Sequence, residues 1–246
     1  PDNPEALVSL REIENLTSDR LVQNIFIEKF SNRSSRLNSF TELIHPFTSR
    51  FRGKIGVGTL RTNETRDVSG FLGGKWDATP NWNLGVRAGI TPSADLLPEY
   101  FHEEEINYLV PKTDVKISVL YRYMNFESDP FHFLVPGVTY RILDNLTATA
   151  RAYLGFQKRG NTHAGQLRLD YNFNPELSTY ISGVYGIGGS RIATNQERAP
   201  ANVYSIQSGF QYRFSKTLAI GFNHEYENRK GQFKRNVFRI DFPFWF

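Results

Sequence analysis

The sequence contains no cysteine and no long apolar run, and both absences narrow the function. Without cysteine the chain can form neither a disulfide framework nor a thiolate metal site. No stretch approaches the ~20 apolar residues of a transmembrane helix, which excludes an α-helical membrane protein. The net charge is only +4 and no basic run carries interleaved aromatics, so nucleic acid is not an expected partner. The 5 histidines show no ligand spacing, so we expect neither a metal nor a cofactor.

Alternation of apolar and polar residues is the main feature that is present. In "VYSIQSGFQYRF", Tyr204, Ile206 and Phe210 fall on one face of an extended chain, and Ser205 and Gln207 fall on the other. Similar segments, separated by turn clusters, recur from about residue 20 onward. They predict an all-β fold of about fourteen antiparallel strands, or twelve if the first two, which alternate poorly, are not strands. The predicted strands begin near Leu21, Arg36, Phe51, Val68, Trp82, Phe101, Val115, His132, Leu146, His163, Leu177, Val203, Leu218 and Phe233.

The predicted turns also alternate, in length. Tight turns such as "TPN" at 79–81 and "LDN" at 143–145 are interleaved with longer polar loops such as "RTNETRD" and "GGSRIATNQERAPAN". Short turns at one end and long loops at the other are typical of bacterial outer-membrane barrels, where the turns are periplasmic and the loops extracellular. We therefore expect a transmembrane up-and-down β-barrel with both termini in the periplasm. A soluble up-and-down barrel is the alternative that the polarity of the two faces must decide.

Aromatic residues occupy particular places in this pattern. They flank the predicted turns, as at Trp76, Trp82 and Trp245, whereas aliphatic residues fill the strand middles, as between Leu146 and Leu154. Two aromatic girdles around an aliphatic band are the arrangement that the two lipid–water interfaces select. The apolar face is therefore expected to contact outer-membrane lipid, and the polar face to line the lumen.

The two ends of the chain carry separate signals. The ending "FPFWF" places Phe242, Phe244 and Phe246 on one face, and it resembles the C-terminal signal that the bacterial barrel-assembly machinery reads. We predict that these three residues form an assembly signal; the buried last strand of a β-sandwich is the alternative.

Residues 1–17 predict a short periplasmic helix instead of a strand. Leu7, Leu10 and Ile13 have helical spacing, and Asn3 is placed to cap the helix. The segment looks like the end of a tetratricopeptide-type region, and a periplasmic tail or a lumen plug is the alternative. Residues 18–246 are the predicted barrel domain.

A family resemblance is carried by "GFLGGKWDATPNWNLGVRAGITPSADLLPEY", by "FHFLVPGVTYRI" and by the aromatic terminus. These segments resemble the YaiO-type outer-membrane barrels and are similar, more loosely, to barrel domains of exopolysaccharide secretion porins. The resemblance covers residues 50–246, and its most specific part is residues 89–98. It implies a bacterial outer-membrane location and a role with surface polysaccharide, and it supplies no catalytic residues.

Strand parity also predicts which charged residues face the lumen. Thirteen basic residues face inward against seven acidic ones, and arginine predominates, which suits bidentate binding of carboxylate or sulfate groups. The predicted pore-lining set for anion or sugar contact is Arg52, Lys54, Lys75, Arg87, Lys116, Arg122, Arg141, Arg151, Arg168, Arg213 and Arg239, with Arg159 and Arg235 also inward. The inward acids are Asp77, Glu103, Glu105, Asp170, Glu225, Glu227 and Asp241. The functional prediction is a porin-like conduit for surface polysaccharide or acidic oligosaccharide; the alternative is an ion-pair ladder that fills the barrel.

Two other classes of function remain open at this point. A closed barrel could act as a scaffold or as a protein-translocation unit. A lipid-modifying enzyme would need a nucleophile beside His163 or His224, the outward-facing histidines, and no serine lies in a recognisable nucleophile motif. We therefore expect a non-enzymatic, monomeric barrel whose partners are membrane lipid, the assembly machinery, anionic polysaccharide and periplasmic secretion components.

Overall fold

The computed structural model describes residues 18–126, 129–158, 160–188 and 201–246. The predicted helix within residues 1–17 and the inward position predicted for Arg159 lie outside these residues. The described residues form one closed barrel in which each strand pairs with its sequence neighbours and the first pairs with the last. The strands are β1 (Arg20–Phe30), β2 (Arg36–Pro46), β3 (Phe51–Arg61), β4 (Arg66–Asp77), β5 (Trp82–Ile90), β6 (Tyr100–Leu109), β7 (Val115–Phe126), β8 (Asp129–Leu143), β9 (Leu146–Phe156), β10 (Thr162–Asn172), β11 (Leu177–Ile187), β12 (Asn202–Arg213), β13 (Ala219–Arg229) and β14 (Phe233–Trp245).

The fourteen-strand prediction is confirmed, and the twelve-strand alternative is wrong. β1 pairs along its whole length with β14, from Arg20 to Phe30. The poor alternation of β1 and β2 comes from polar residues on their outward faces. There the Gln23 amide donates to Ser39 Oγ at 2.9 Å, and Thr41 Oγ1 donates to Gln23 Oε1 at 2.5 Å. These side chains satisfy one another's hydrogen bonds, so the strands tolerate them on an otherwise apolar wall.

The outer wall of the barrel is apolar and the inner wall is polar. Outward positions hold exposed aliphatic side chains such as Ile55 on β3, Leu72 on β4 and Ile206 on β12. Residues that are paired across neighbouring strands point to the same side of the wall. Arg52 on β3 and Lys75 on β4, for example, are paired and both point inward. This polarity is the reverse of a soluble barrel and suits a lipid surround. Among the residues that the structure describes, no helix has the length and apolar character needed to span a bilayer.

Aromatic side chains border the apolar belt. Trp76 and Trp82 are exposed near the short turns, and Tyr100 is exposed near the opposite end. The girdle position predicted for Trp245 is wrong, because this side chain points inward and is only 7% exposed. Strand alternation places it inside, since it shares the parity of Arg239 and Asp241, and there its ring lies 4.7 Å from the guanidinium carbon of Arg213 in a cation–π contact.

The two ends of the barrel differ less in loop length than the sequence predicts. The end that carries the turns 47–50, 78–81 and 144–145 is called the short-turn end, and the other is called the long-loop end. At the long-loop end the strands extend into the predicted loops, so that "RTNETRD" contributes only residues 62–65 to a turn. Among the connections that the structure describes in full, the one longer than five residues is 91–99, which joins β5 to β6; most of the connection between β11 and β12 lies outside the described residues.

Candidate functional site: the barrel lumen

The lumen is packed near the long-loop end and open towards the short-turn end. Inward side chains near the long-loop end have almost no contact with water, as Phe131, Asp67 and Arg235 are all 0% exposed. Near the short-turn end, inward residues such as Lys75 and Lys116 are exposed. We call the packed region the lumenal plug. It consists of an apolar cluster, an ion cluster and a loop that is tied inward.

The apolar cluster fills the plug on the side of β7 to β11. Its buried members are Met124, Phe126, Phe131, Phe133, Val135, Tyr153, Ala164 and Val184, with Phe101 and Leu120 packed against them. The ring of Phe133 stacks on that of Tyr153 with centroids 5.7 Å apart. These residues occupy inward positions that a water-filled channel would give to polar side chains, so the barrel is closed here by ordinary core packing.

The ion cluster fills the plug on the side of β13, β14, β1 and β2. Arg235 bridges two carboxylates, with contacts of 2.8 Å to Glu227 and 3.5 Å to Glu28. Glu227 also accepts from Arg229 at 2.8 Å, and Glu28 lies 3.6 Å from Arg36. All five side chains are at most 2% exposed. Such a network compensates the desolvation of its charges only while every partner stays in place.

The loop 91–99 is tied inward by one carboxylate. Asp67 on β4 accepts backbone N–H bonds from Asp95 at 3.1 Å, Leu96 at 2.8 Å and Leu97 at 2.7 Å. Because Asp67 is fully buried and faces inward, these bonds draw the loop over the lumen, and Leu96 becomes buried with it. Residues 91–98 of this loop belong to the segment 89–98, which carries the family resemblance most specifically.

A basic cavity opens below the apolar cluster, and we call it the basic vestibule. Its volume is about 550 Å³, and its lining residues are Lys116, Thr139, Thr147, Thr149, Arg151, Tyr153, Gln166, Arg168, Asp170 and Gln207. Arg168 is neutralised by Asp170, with contacts of 2.5 to 2.9 Å. For Lys116 and Arg151, no ion pair is found among the described residues. The vestibule therefore offers two uncompensated cations beside threonine hydroxyls.

The inner end of the vestibule is built from hydrogen-bonded neutral groups. Tyr153 donates its hydroxyl to Gln166 Oε1 at 2.5 Å, and the Gln166 amide donates to Ser182 Oγ at 2.9 Å. Tyr153 also belongs to the apolar cluster, so the vestibule ends where the lumenal plug begins. The vestibule therefore combines cations with hydroxyl and amide groups in one lining.

A second cavity lies deeper, at the centre of the barrel. It has a volume of about 570 Å³, and Arg168 and Gln207 line both it and the vestibule. Its arginines are largely paired: Glu103 accepts from Arg122 Nε at 2.6 Å and lies 3.4 Å from Arg87. Arg239 pairs with Asp241 and donates to Asn24 Oδ1 at 2.7 Å. Ion pairs of the kind expected in the alternative thus border the central cavity without filling it, and whether they close the lumen stays a prediction.

The register places every residue of the predicted pore-lining set on an inward position, but the residues do not form one site. Lys116, Arg151 and Arg168 line the vestibule, and Arg87, Arg122, Arg168 and Arg239 line the central cavity. Arg52 and Lys54 pair with Asp77 and Glu42, at 3.2 and 4.0 Å, and Lys75 lies opposite Arg52. Arg141 and Arg213 lie at the short-turn rim, where Arg141 contacts Asp114 at 3.8 Å and Arg213 donates to the carbonyl oxygens of Ser215 and Lys216. Their contact with anions or sugars stays a prediction.

The sequence reasoning missed several lumenal charges. Arg20, Glu28, Arg36 and Glu42 lie inward on β1 and β2, the strands whose register could not be assigned. Arg229, the last residue of β13, also lies inward and is absent from the predicted lumenal set. Extending the parity of Glu225 and Glu227 by one step would have placed Arg229 inside. The outward positions predicted for His163 and His224 agree with the register, in which His163 lies opposite Leu154.

Comparisons with known proteins identify the fold but not the family. No family model matches the chain, and no curated protein matches it. A solved "Bacterial polysaccharide outer membrane secretin" has a TM-score of 0.62 at 12% identity, covering 94% of this chain and 99% of that chain. OccK7 (OpdD) of Pseudomonas aeruginosa has a TM-score of 0.54 at 11% identity, with coverages of 93% and 98%.

A third solved structure belongs to another functional class. The translocator domain of autotransporter NalP from Neisseria meningitidis has a TM-score of 0.50 at 11% identity, with coverages of 99% and 96%. At such identities the likeness defines the fold alone, and this chain has a porin-like outer-membrane β-barrel fold. The neighbours fit the loose similarity to secretion porins, whereas the YaiO-type assignment stays a prediction.

Proposed function

We propose that this protein is a gated outer-membrane conduit for an acidic oligosaccharide or polysaccharide, which enters from the short-turn, periplasmic side. The basic vestibule is the observation that carries the proposal. Lys116 and Arg151 are inward cations with no ion pair among the described residues, and they line the same open cavity from β7 and β9, two strands apart. A low-dielectric wall concentrates their potential on an anion in the lumen.

The neutral groups of the vestibule support a sugar as the cargo. Thr139, Thr147 and Thr149 each present a hydroxyl, and Thr139 and Thr149 already share a hydrogen bond of 3.1 Å. Hydroxyls both donate and accept, as sugar hydroxyls require. A small inorganic anion would need only the cations. The mixed lining favours a ligand that carries carboxylate and hydroxyl groups together.

Transport requires the lumenal plug to open. The apolar and ion clusters are made of side chains carried by the strands, whereas loop 91–99 reaches the lumen from between two strands and is held there by three hydrogen bonds to Asp67. We assign the gate to this loop, because it can leave the lumen without breaking any strand pairing. Loops that move in transport come from the less stable parts of a fold.

The test is single-channel recording of the refolded protein in a planar bilayer under a KCl gradient. We expect anion selectivity, and blockade by a tetramer of galacturonic acid but not by the neutral tetramer maltotetraose. Arg151→Gln should lower the anion-to-cation permeability ratio about twofold or more and weaken blockade. Lys116→Gln should act in the same direction.

Arg141→Gln is the matched control. It also removes one inward arginine, but Arg141 is paired with Asp114 at the exposed rim and lies outside the vestibule. Selectivity should change little, because a solvent-exposed charge is well screened. Equal effects of the two variants would contradict a specific role for the vestibule.

The lumenal plug itself favours a second candidate, a closed barrel that serves as a scaffold. Buried packing of the apolar and ion clusters gives a rigid barrel with no path through it. Absence of resolvable conductance, both in the original protein and after the Asp67 tie is removed, would favour this candidate over the conduit.

We propose no enzymatic role for the outer wall. His224 Nε2 lies 3.2 Å from Asn236 Oδ1, an amide oxygen that is neither a nucleophile nor an acid. The monomeric state, the assembly machinery as a partner of Phe242, Phe244 and Phe246, and periplasmic secretion components remain predictions. Phe244 and Phe246 are exposed on the outer wall, where such machinery could reach them.

A further inference from the structure

Exposed cations gather on the outer wall at one place, the rim of the long-loop end. Lys234 on β14, Lys29 on β1, Arg61 on β3 and Arg66 on β4 all occupy outward positions and are all exposed. We call these four residues the rim cations. They lie on one side of the barrel, across five neighbouring strands that include β2. None of them faces the lumen, so the proposed conduit does not use them.

The rim cations form two like-charged pairs. Arg61 and Arg66 are direct cross-strand partners on β3 and β4. Lys29 lies opposite Asn236, so Lys234, two residues along β14, is its diagonal neighbour. Directly opposite side chains have Cβ atoms ~5 Å apart, and diagonal ones ~7–8 Å apart, so the two cations of each pair repel each other. An anion that bridges the pair would remove this repulsion.

Among the described residues, no carboxylate on the same surface supplies that anion. On the described strands β14 and β1 to β4, outward positions carry no carboxylate. Glu64 lies in the turn between Arg61 and Arg66 and is exposed, and no ion pair joins it to either arginine among the described residues. The repulsion within each pair is therefore left for an external group to relieve.

The rim cations stand where the apolar belt ends. Leu37 on β2 lies between the two pairs, since its Cα partners are Ile27 on β1 and Arg61 on β3. Leu37, Ile27 and Val68 are exposed to the surroundings of the barrel. A row of cations directly above exposed aliphatic side chains lies at the depth of lipid headgroups, where phosphate groups are found.

We propose that the rim cations bind the phosphate groups of a phosphorylated glycolipid of the lipid A type, in the leaflet that surrounds the long-loop end. The two pairs are separated by about two strand spacings, ~10 Å, so each could hold a separate phosphate. Arginine forks and lysine ammonium groups both suit phosphate oxygens. The inference rests on the proposed outer-membrane location and is independent of conduction. It also places the long loops outside the cell.

The experiment measures lipid binding to the full chain in detergent micelles by native mass spectrometry. The probes are diphosphoryl lipid A, the same lipid after enzymatic removal of its phosphates, and phosphatidylglycerol. Lys29→Gln with Lys234→Gln, and Arg61→Gln with Arg66→Gln, should each weaken binding of diphosphoryl lipid A about tenfold. The control, Lys112→Gln with Lys158→Gln, removes two exposed cations elsewhere and should leave binding unchanged.

The outcomes separate this inference from the proposed conduit. Equal binding of the dephosphorylated lipid, equal losses in the control, or tighter binding of phosphatidylglycerol than of lipid A would overturn the glycolipid site. Conductance of the rim variants should match that of the original protein. A barrel that conducts but ignores lipid phosphate refutes the rim site alone, and a barrel that binds lipid A without conducting refutes the conduit alone.

Discussion

At the scale of single residues, the charged side chains of the lumen differ widely in their exposure to solvent. Arg235 and Glu227 are sealed in the plug, whereas Arg168 and Asp170 pair in the vestibule with 36% of each side chain exposed. Parity in the sequence predicts that all four face inward. It cannot distinguish sealed from solvated charges, because burial depends on the side chains that other strands bring to the same height. The same limit applies to Phe131 and Phe133. Their apolar alternation is the pattern of a lipid-facing wall, yet both side chains are buried in the lumen.

The ion cluster leads to a stability prediction. Glu227→Ala removes the carboxylate that Arg229 and Arg235 share and leaves two buried guanidinium groups without it. We expect a loss of about 3–5 kcal/mol in the free energy of unfolding, measured by urea titration in lipid vesicles with tryptophan fluorescence. Asp170→Ala breaks a solvated pair and should lower it by at most about 1 kcal/mol. Similar losses in both variants would mean that the plug is wetter than its burial indicates.

At the scale of elements, the strands were far more predictable than the loops. The alternation of apolar and polar residues predicted where the strands begin. A shift by one residue would turn every apolar side chain of a strand into the lumen, so the pattern is strongly constrained. β1 and β2 obscured that signal, since Gln23, Ser39 and Thr41 satisfy one another on the outer face. The inward fold of loop 91–99 has no periodic signal. It depends on Asp67, 24 residues or more before the loop, and such a contact is visible only in three dimensions.

Removal of the Asp67 tie should release the loop. In Asp67→Ala the backbone N–H groups of residues 95–97 lose their acceptor, so we expect faster chymotrypsin cleavage near Leu96, by about tenfold, and more frequent channel opening. The control is Glu99→Ala, which removes a carboxylate at the end of the same loop that accepts from the Asn125 amide at 2.7 Å and does not bond to residues 95–97 among the described residues. If both variants were cleaved at the original rate, the loop would be held by packing, and the gate would have to lie elsewhere.

At the scale of the whole molecule, the barrel is asymmetric along its axis. The short-turn end offers an open basic vestibule, and the long-loop end is closed by the plug. The porin-like fold was predictable from the sequence, because lipid imposes the same alternation on every strand. The difference between the two ends was not predictable, because the plug is assembled from side chains of many strands and of one loop.

This asymmetry predicts sided blockade. The acidic tetramer should block the channel at about tenfold lower concentration when it is added to the side of the short turns, since only there does it reach Lys116 and Arg151 without passing the gate. The measurement compares the two additions on channels of known orientation. Equal blocking concentrations from both sides would show that the vestibule is not the entry site.

The seam between β1 and β14 has a consequence for the order in which the molecule is made. Arg20 pairs with Trp245 there, so the wall stays open until β14 has been synthesised and has reached β1. Bringing together ends more than two hundred residues apart carries an entropy penalty of about 5 kcal/mol, which no local contact offsets beforehand. Until that moment two bare strand edges face the surroundings, each able to recruit a foreign strand. We therefore expect closure of the β1–β14 seam to be the step before which these strand edges are most open to wrong pairing.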